Sequence, residues 1–382
     1  MEDDKKYRIE FVLVTHTRGI FFNPHRPEGI KFIPPNESGL CFALRPSDPE
    51  NDACGHRMGL ECKLFSSYQA TKEQSEFVAS FNNQRIMLRV AENISLPYIL
   101  KEEILINEDG HCRDGFSPRR YICPTDIRQL IENVEVELFS KTIKFLRLLR
   151  WHQGFDAPGE LIENRSLYWK VGEGDYPLAP LEGGPQDPIE VPGMHGIHWD
   201  DSDLKDFQEL WAQNDISEPI GHTLLREAAS LASESPRSAI LILSTALETA
   251  VKMHISRIAP DTEWLMEEIP SPPIFKILRD YIPLIHKRRG NELTFWEDVK
   301  PFIKDVQKLI ELRNKVAHTG KIPIDSDSMQ KKIELVSDIL YLLDFLDGHH
   351  WARSLASDKF RKSLSWPNPK HKRIKIRIEQ ND

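Results

Sequence analysis

The sequence predicts an α+β chain: a β-rich N-terminal domain over residues 1–200, an all-α helical bundle over 203–348, and a basic tail over 349–382. Three observations carry this. Residues 7–14 (Tyr-Arg-Ile-Glu-Phe-Val-Leu-Val) open with the two-residue alternation of a half-buried strand, and further short apolar runs follow between Pro, Asn and Gly clusters. Residues 202–348 carry apolar side chains at the three-to-four-residue spacing of helices that bury one face. Residues 156–201, with Gly183-Gly184-Pro185, Asp187-Pro188 and Pro192-Gly193, show little periodicity and read as a crossover or a linker. The domain boundary is placed near the end of that stretch.

Taken in order, the strands expected after residues 7–14 are 30–33, 40–44, 63–68 and 85–90, punctuated by Asn23-Pro24 and Pro34-Pro35-Asn36. A long helix begins at Pro124-Thr125-Asp126, where Thr125 can cap it, and its apolar face (Leu130, Val134, Leu138, Phe145, Leu149) runs to about Trp151. One strand-like piece, 167–171, interrupts the Gly/Pro-rich stretch. The helices of the bundle are expected at 202–214, 219–233, 237–258, 272–280, 296–318 and 327–347. Pro236 suits the first turn of the third. Gly320 suits the left-handed position after the fifth. Asp325 or Ser326 can cap the sixth.

The chain has 382 residues, enough for two domains, and its 40% hydrophobic and 29% charged residues make a folded composition. The net charge of −9 argues against nucleic acid coating the whole surface, though not against a local basic site. No run approaches the roughly 18 uninterrupted apolar residues of a membrane span. The opening Met-Glu-Asp-Asp-Lys-Lys lacks the apolar core of a signal peptide, so a cytoplasmic protein without a membrane partner is expected. The five cysteines, an odd number without a C-x-x-C pair, agree with a reducing compartment. Cys54, His56, Cys62, Cys112 and Cys123 lack the paired spacing of structural zinc ligands, so neither metal nor cofactor is expected.

The 296–318 helix carries the chemistry. Its apolar stripe runs Val299, Phe302/Ile303, Val306, Leu309/Ile310 and Val316/Ala317, and the position that continues it after Ile310 is Arg313. A guanidinium on the core side of a helix needs a carboxylate or phosphate partner. Asn314 follows it, and His318 closes the helix. Each has a plain structural alternative: an ion pair for Arg313, hydration for Asn314, and helix-end carbonyls for His318.

Leu312-Arg313-Asn314-Lys315-Val316-Ala317-His318-Thr319-Gly320 resembles the signature of the HEPN superfamily, in which an arginine, usually followed by a polar residue, precedes a histidine with four to six residues between. The stretches Leu224-Leu225-Arg226-Glu227-Ala228-Ala229 and Ser244-Thr245-Ala246-Leu247-Glu248-Thr249-Ala250 resemble the first helical hairpin of that superfamily. The likeness covers about 203–348. Residues 1–200 lie outside it, although ApeA-like HEPN proteins similarly place another domain in front. The bare spacing recurs at Arg18…His25, Arg147…His152 and Arg279…His286, but the first lies in a turn-rich stretch, the second has Leu148 after its arginine, and Pro283 interrupts the third, where a regular helix is not expected.

The resemblance implies a metal-independent endoribonuclease, commonly a toxin or antiviral defence effector, that leaves a 2′,3′-cyclic phosphate and a 5′-hydroxyl. In it His318 serves as general acid/base, Arg313 binds the scissile phosphate, and Asn314 orients either group. An imidazole and a guanidinium suit those tasks. Five residues of regular helix set Arg313 and His318 about 140° apart, so a homodimer with a composite site is expected, as the resemblance also implies. Glu248 is the candidate to hold Arg313. The N-terminal domain is the candidate sensor, restraint or docking point for a trigger. The alternatives are a non-catalytic HEPN scaffold for RNA binding or dimerisation, and an enzyme built on the N-terminal Cys/His cluster.

Lys315 beside the motif and Lys372, Arg373, Lys375 and Arg377 in the tail are candidate RNA contacts. Residues 373–378 alternate isoleucine with cations, which fits either a strand offering charge to RNA or an edge strand guarded against aggregation. His349-His350 is expected to end a helix in solvent. No phosphate-binding glycine loop, dinucleotide fingerprint, H-E-x-x-H or G-x-S-x-G is present.

Overall fold

A computed structural model describes residues 7–18, 20–22, 30–37, 39–46, 59–82, 125–154, 162, 164–173, 179, 195–197, 200–213, 216–268, 273–319 and 326–366. The chain is α+β and forms two compact units, residues 1–146 with 161–190, and residues 147–160 with 191–382. The second unit thus takes the end of the long helix, which the sequence reading assigned wholly to the N-terminal domain.

The first unit is built on a five-stranded antiparallel sheet. Its strands are β1 (Tyr7–Arg18), β3 (Ile30–Phe32), β4 (Cys41–Pro46), β5 (Gly59–Ala70) and β6 (Asn164–Lys170), in the order β3-β4-β5-β1-β6; β2 (Ile20–Phe22) lies outside it. β1 pairs with β5 over its whole length, from Tyr7↔Ala70 to Arg18↔Gly59. Directly opposed residues share a face, so Phe32, Phe42, Leu64, Leu13 and Leu167 form one row across all five strands. All five are buried. Val12 and Val14, on the other face, are buried as well, which explains why the alternation fails over Val12-Leu13-Val14.

Helix α1 (Lys72–Asn82) follows β5 directly and was not expected. Its start is a capping box: Thr71 Oγ1 accepts from the Gln74 N–H at 3.2 Å, and Gln74 Oε1 accepts from the Thr71 N–H at 3.0 Å. Helix α2 (Thr125–Gln153) covers the apolar row. Phe145 stacks on Phe42 with centroids 4.3 Å apart and planes 11° apart. Tyr68 donates to Glu137 at 2.9 Å, and Lys141 pairs with Glu37 at 2.7 Å. The strand expected at 85–90 lies outside the described residues.

The second unit contains the end of α2 from Arg147 on and helices α3 (Asp201–Trp211), α4 (Ile220–Ser230), α5 (Pro236–Ile258), α6 (Glu263–Glu268), α7 (Ile274–Lys276), α8 (Ile282–Arg288), α9 (Trp296–Thr319), α10 (Ser326–Leu346) and α11 (Asp358–Ser363). Helix α5 is central, packing against α4, α9 and α10. By length and composition α5 is apolar enough to cross a membrane, and its Ile240, Leu243, Leu247 and Val251 are buried in the core. Gly221 lets α4 approach closely, since a Cβ there would meet Leu340 Cδ2 at 2.6 Å and Ala250 Cβ at 3.1 Å.

The helix is not regular ahead of Pro283, as expected, yet it does not break there: a π-helical segment (Ile277–Tyr281) joins α7 to α8 and the Ile282 N–H bonds to Ile277 O. In that wider register Leu278 O would need the N–H that Pro283 lacks. The buried Trp296 Nε1 donates to it instead, at 3.2 Å. Nor does the bundle end at 348. A 3₁₀ turn (His350–Leu355) and α11 fold back, burying Phe360 against Phe302 with ring centroids 4.6 Å apart. His349 is not solvated: it packs edge-on against Trp151 at 4.9 Å, and burial pushes its pKa down.

Candidate functional site

Helix α9 is amphipathic as read from the sequence. Val299, Phe302, Ile303, Val306, Leu309 and Val316 are buried, while Asn314, Lys315, Ala317, His318 and Thr319 are exposed. Arg313 is half-buried, as expected of a polar residue interrupting the stripe. The helix stays regular through its end, where the Thr319 hydroxyl donates to Lys315 O at 2.7 Å. The last turn does not unwind, so Arg313 and His318 leave the helix in directions about 140° apart.

Arg313 Nη1 donates to Asn314 Oδ1 at 3.1 Å, and the guanidinium makes no ion pair among the described residues. Arg313 and Asn314 are thus brought together. The expected pairing of Arg313 with Glu248 is corrected: Glu248 lies one turn from Lys252 on α5 and pairs with it at 3.1 Å. Lys315 is exposed beside the motif. Lys372, Arg373, Lys375 and Arg377 lie outside the described residues, as do Gly320, Cys54, His56, Cys112 and Cys123.

The other described Arg…His spacings are engaged structurally. His152 is buried against Phe207 and Trp351, and burial, aided by His349, pushes its pKa down to about 3. Arg279 is held by Asp280 at 2.7 Å, and His286 is buried facing His254. Of the described pairs, Arg313 and His318 alone combine a histidine open to solvent with an arginine free of carboxylates.

Sequence reading missed three buried polar clusters in this unit. His222 Nε2 and Trp151 Nε1 meet Asp344 Oδ2 at 2.7 and 2.9 Å. Glu218 bridges Arg150 and Arg226. Asp347 holds Arg257 at 2.5 Å and His254 Nδ1 at 2.7 Å, and His254 Nε2 faces His286 Nε2 at 3.3 Å. The centroids of those two rings are 5.5 Å apart and their planes 12° apart, so the two nitrogens point at each other within hydrogen-bond distance. Burial works to raise the Asp347 pKa, but its bonds to His254 and Arg257 outweigh that and hold it below the ordinary carboxylate range. His222, His254, His286, Asp344 and Glu218 are all buried, which suits tying helices together. The signal available was a histidine on an apolar face, as at His254 after Leu247 and Val251.

Among the described residues no group of three or more His, Cys, Asp or Glu side chains is placed to hold a metal ion. Cys62 is buried in β5, and burial pushes up the pKa of the half-buried Cys41 thiol. No protein-family model, curated protein or solved structure matches the chain. The functional reading therefore rests on the motif and the geometry around it.

Proposed function

We propose that the chain is a metal-independent endoribonuclease of HEPN type, acting as a homodimer in which motifs from two copies meet. The observation that carries the reading is the pair on α9, a half-buried arginine without a carboxylate partner among the described residues and a solvent-facing histidine five residues on. Arg313 grips the scissile phosphate and offsets the charge that builds on its oxygens. His318 takes the proton of the attacking 2′-hydroxyl or returns one to the departing 5′-oxygen. The 2′-oxygen bonds to phosphorus as the P–O5′ bond breaks, leaving a 2′,3′-cyclic phosphate and a 5′-hydroxyl. Asn314, bonded to Arg313, fixes the fork. The divergence of the two side chains within one protomer supports the dimer, since a partner's histidine can face an arginine that its own chain's histidine cannot.

The same divergence favours, as the second reading, a non-catalytic HEPN scaffold that binds RNA or dimerises. Incubating total RNA in EDTA with wild type and His318→Ala separates the two. The nuclease reading expects fragments with cyclic phosphate ends from wild type and a loss of at least about 10²-fold in the variant. Intact RNA with wild type leaves the scaffold. A toxin or antiviral effector role, restrained by the N-terminal unit, accompanies the nuclease reading, and expression of wild type is then expected to arrest growth where His318→Ala does not.

A further inference from the structure

Beside the motif the helical unit opens a cavity of about 470 Å³, walled by α9, α10 and α11. Its floor is apolar, formed by Phe302, Leu309 and Leu335, and its rim carries Lys308, Lys331, Lys332 and Lys359. Carboxylates share the lining, but two are engaged. Asp305 holds Lys308 at 2.8 Å, and Asp338 accepts from the Ser357 N–H and hydroxyl at 2.6 and 2.7 Å. Burial pushes the Asp338 pKa up to about 7, so it carries only part of its charge near neutrality. Glu334, at the rim, is exposed. Lys332 rests on Ser328 Oγ at 3.0 Å, Lys359 stands 5.5 Å from the Phe302 ring centroid, and Lys331 makes no ion pair among the described residues. With Asp305 and Lys308 neutralising each other, three lysines face Glu334 and a partly charged Asp338, in a chain whose net charge is −9.

The lining leads to the motif. Arg313 lies one turn beyond Leu309, about 6 Å along the helix and within about 40° around it. Lys315 lies two turns beyond Lys308 on the same edge, within about 20°. His318 faces away from this groove.

We infer that this groove is the substrate track of the proposed ribonuclease, its lysines holding backbone phosphates of single-stranded RNA next to the phosphate on Arg313. The inference rests on the reading of Arg313 as a phosphate ligand. Lysines supply charge without reading base edges, and the apolar floor accepts a ribose or base face, so the track tolerates many sequences.

Fluorescence anisotropy of a labelled single-stranded 2′-O-methyl RNA, which lacks the attacking hydroxyl, reads binding apart from cleavage. In the full-length protein the triple variant Lys331→Ala, Lys332→Ala, Lys359→Ala is expected to bind about ten-fold more weakly, with the salt slope reduced by about two. Lys287→Ala is the control, a surface lysine paired with Glu292 and absent from the groove lining. If thermal unfolding shows the triple variant to be damaged, Lys331→Glu replaces it, since that side chain anchors no described neighbour. Wild-type affinity and slope in the lysine variants overturn the inference even where RNA is cut, as does a wild type that does not bind the oligonucleotide. Loss of affinity in the lysine variants, with no cleavage by wild type, keeps the groove and removes the nuclease.

Discussion

Asp338 and His152 titrate in opposite senses, and both oppose what their exposed counterparts do. Burial pushes the Asp338 carboxyl up to about 7 and the His152 imidazole down to about 3. For Asp338 the stabilisation is fully present below the ordinary carboxylate value of about 3.9 and is lost as pH rises through 7. For His152 it is present above the ordinary imidazole value of about 6.5 and is lost as pH falls toward 3. Asp338→Asn keeps an acceptor for the Ser357 N–H and gains a donor for its hydroxyl while removing the titration. Chemical denaturation is expected to find it more stable than wild type at pH 8 by on the order of 1–3 kcal/mol, with little difference at about pH 3, below the unfolded carboxylate value. A variant no more stable at pH 8 contradicts the buried, strained carboxylate. Neither residue was legible in the sequence. Asp338 sits on a helix among many acids, and its partner Ser357 comes from a segment read as a tail. His222 and Asp344, 122 positions apart, show the same difficulty: pairing between distant helices leaves no local spacing to find. Arg313 was legible because it breaks a stripe within one helix.

The π segment before α8 is a case where an element survives a residue that should end it. Proline removes one donor, the wider turn moves the deficit to Leu278 O, and the Trp296 indole fills it from the start of α9. Trp296→Phe keeps most of the buried ring and deletes the donor. It is expected to cost about 1–3 kcal/mol in denaturant unfolding, and hydrogen exchange is expected to rise first around residues 277–288. A cost below about 0.5 kcal/mol would mean that the carbonyl is satisfied in another way. Most helices could be read from apolar periodicity alone: residues 237–258 and 296–318 were expected, and Pro236–Ile258 and Trp296–Thr319 are found. Helix α1 was missed although Thr71-x-x-Gln74 is a readable start, because its mixed polar sequence has only a weak apolar face. The 3₁₀ turn and α11 were missed because the lysines and arginines around Phe360 read as a solvated tail, while Phe360 and Trp366 hold that segment on the core.

At the scale of the whole molecule, function depends on whether two copies complete what one cannot. Arg313 lies one turn beyond Leu309 of the lysine groove, and His318 projects from the opposite side of a helix that stays regular to its end. Under the proposed reading, an acidic net charge of −9 disfavours RNA over the whole surface and leaves binding to local basic sites such as that groove. The proposed two-fold dimer would have two equivalent clefts, each with an arginine from one copy and a histidine from the other. The direct test is to co-express Arg313→Ala and His318→Ala chains under different tags, isolate the mixed dimer, and measure RNA cleavage in EDTA. Each parent variant alone is expected to be inactive. The mixed dimer holds one intact arginine–histidine pair and is expected to recover roughly half of wild-type activity. A mixed dimer as inactive as its parents contradicts the composite cleft.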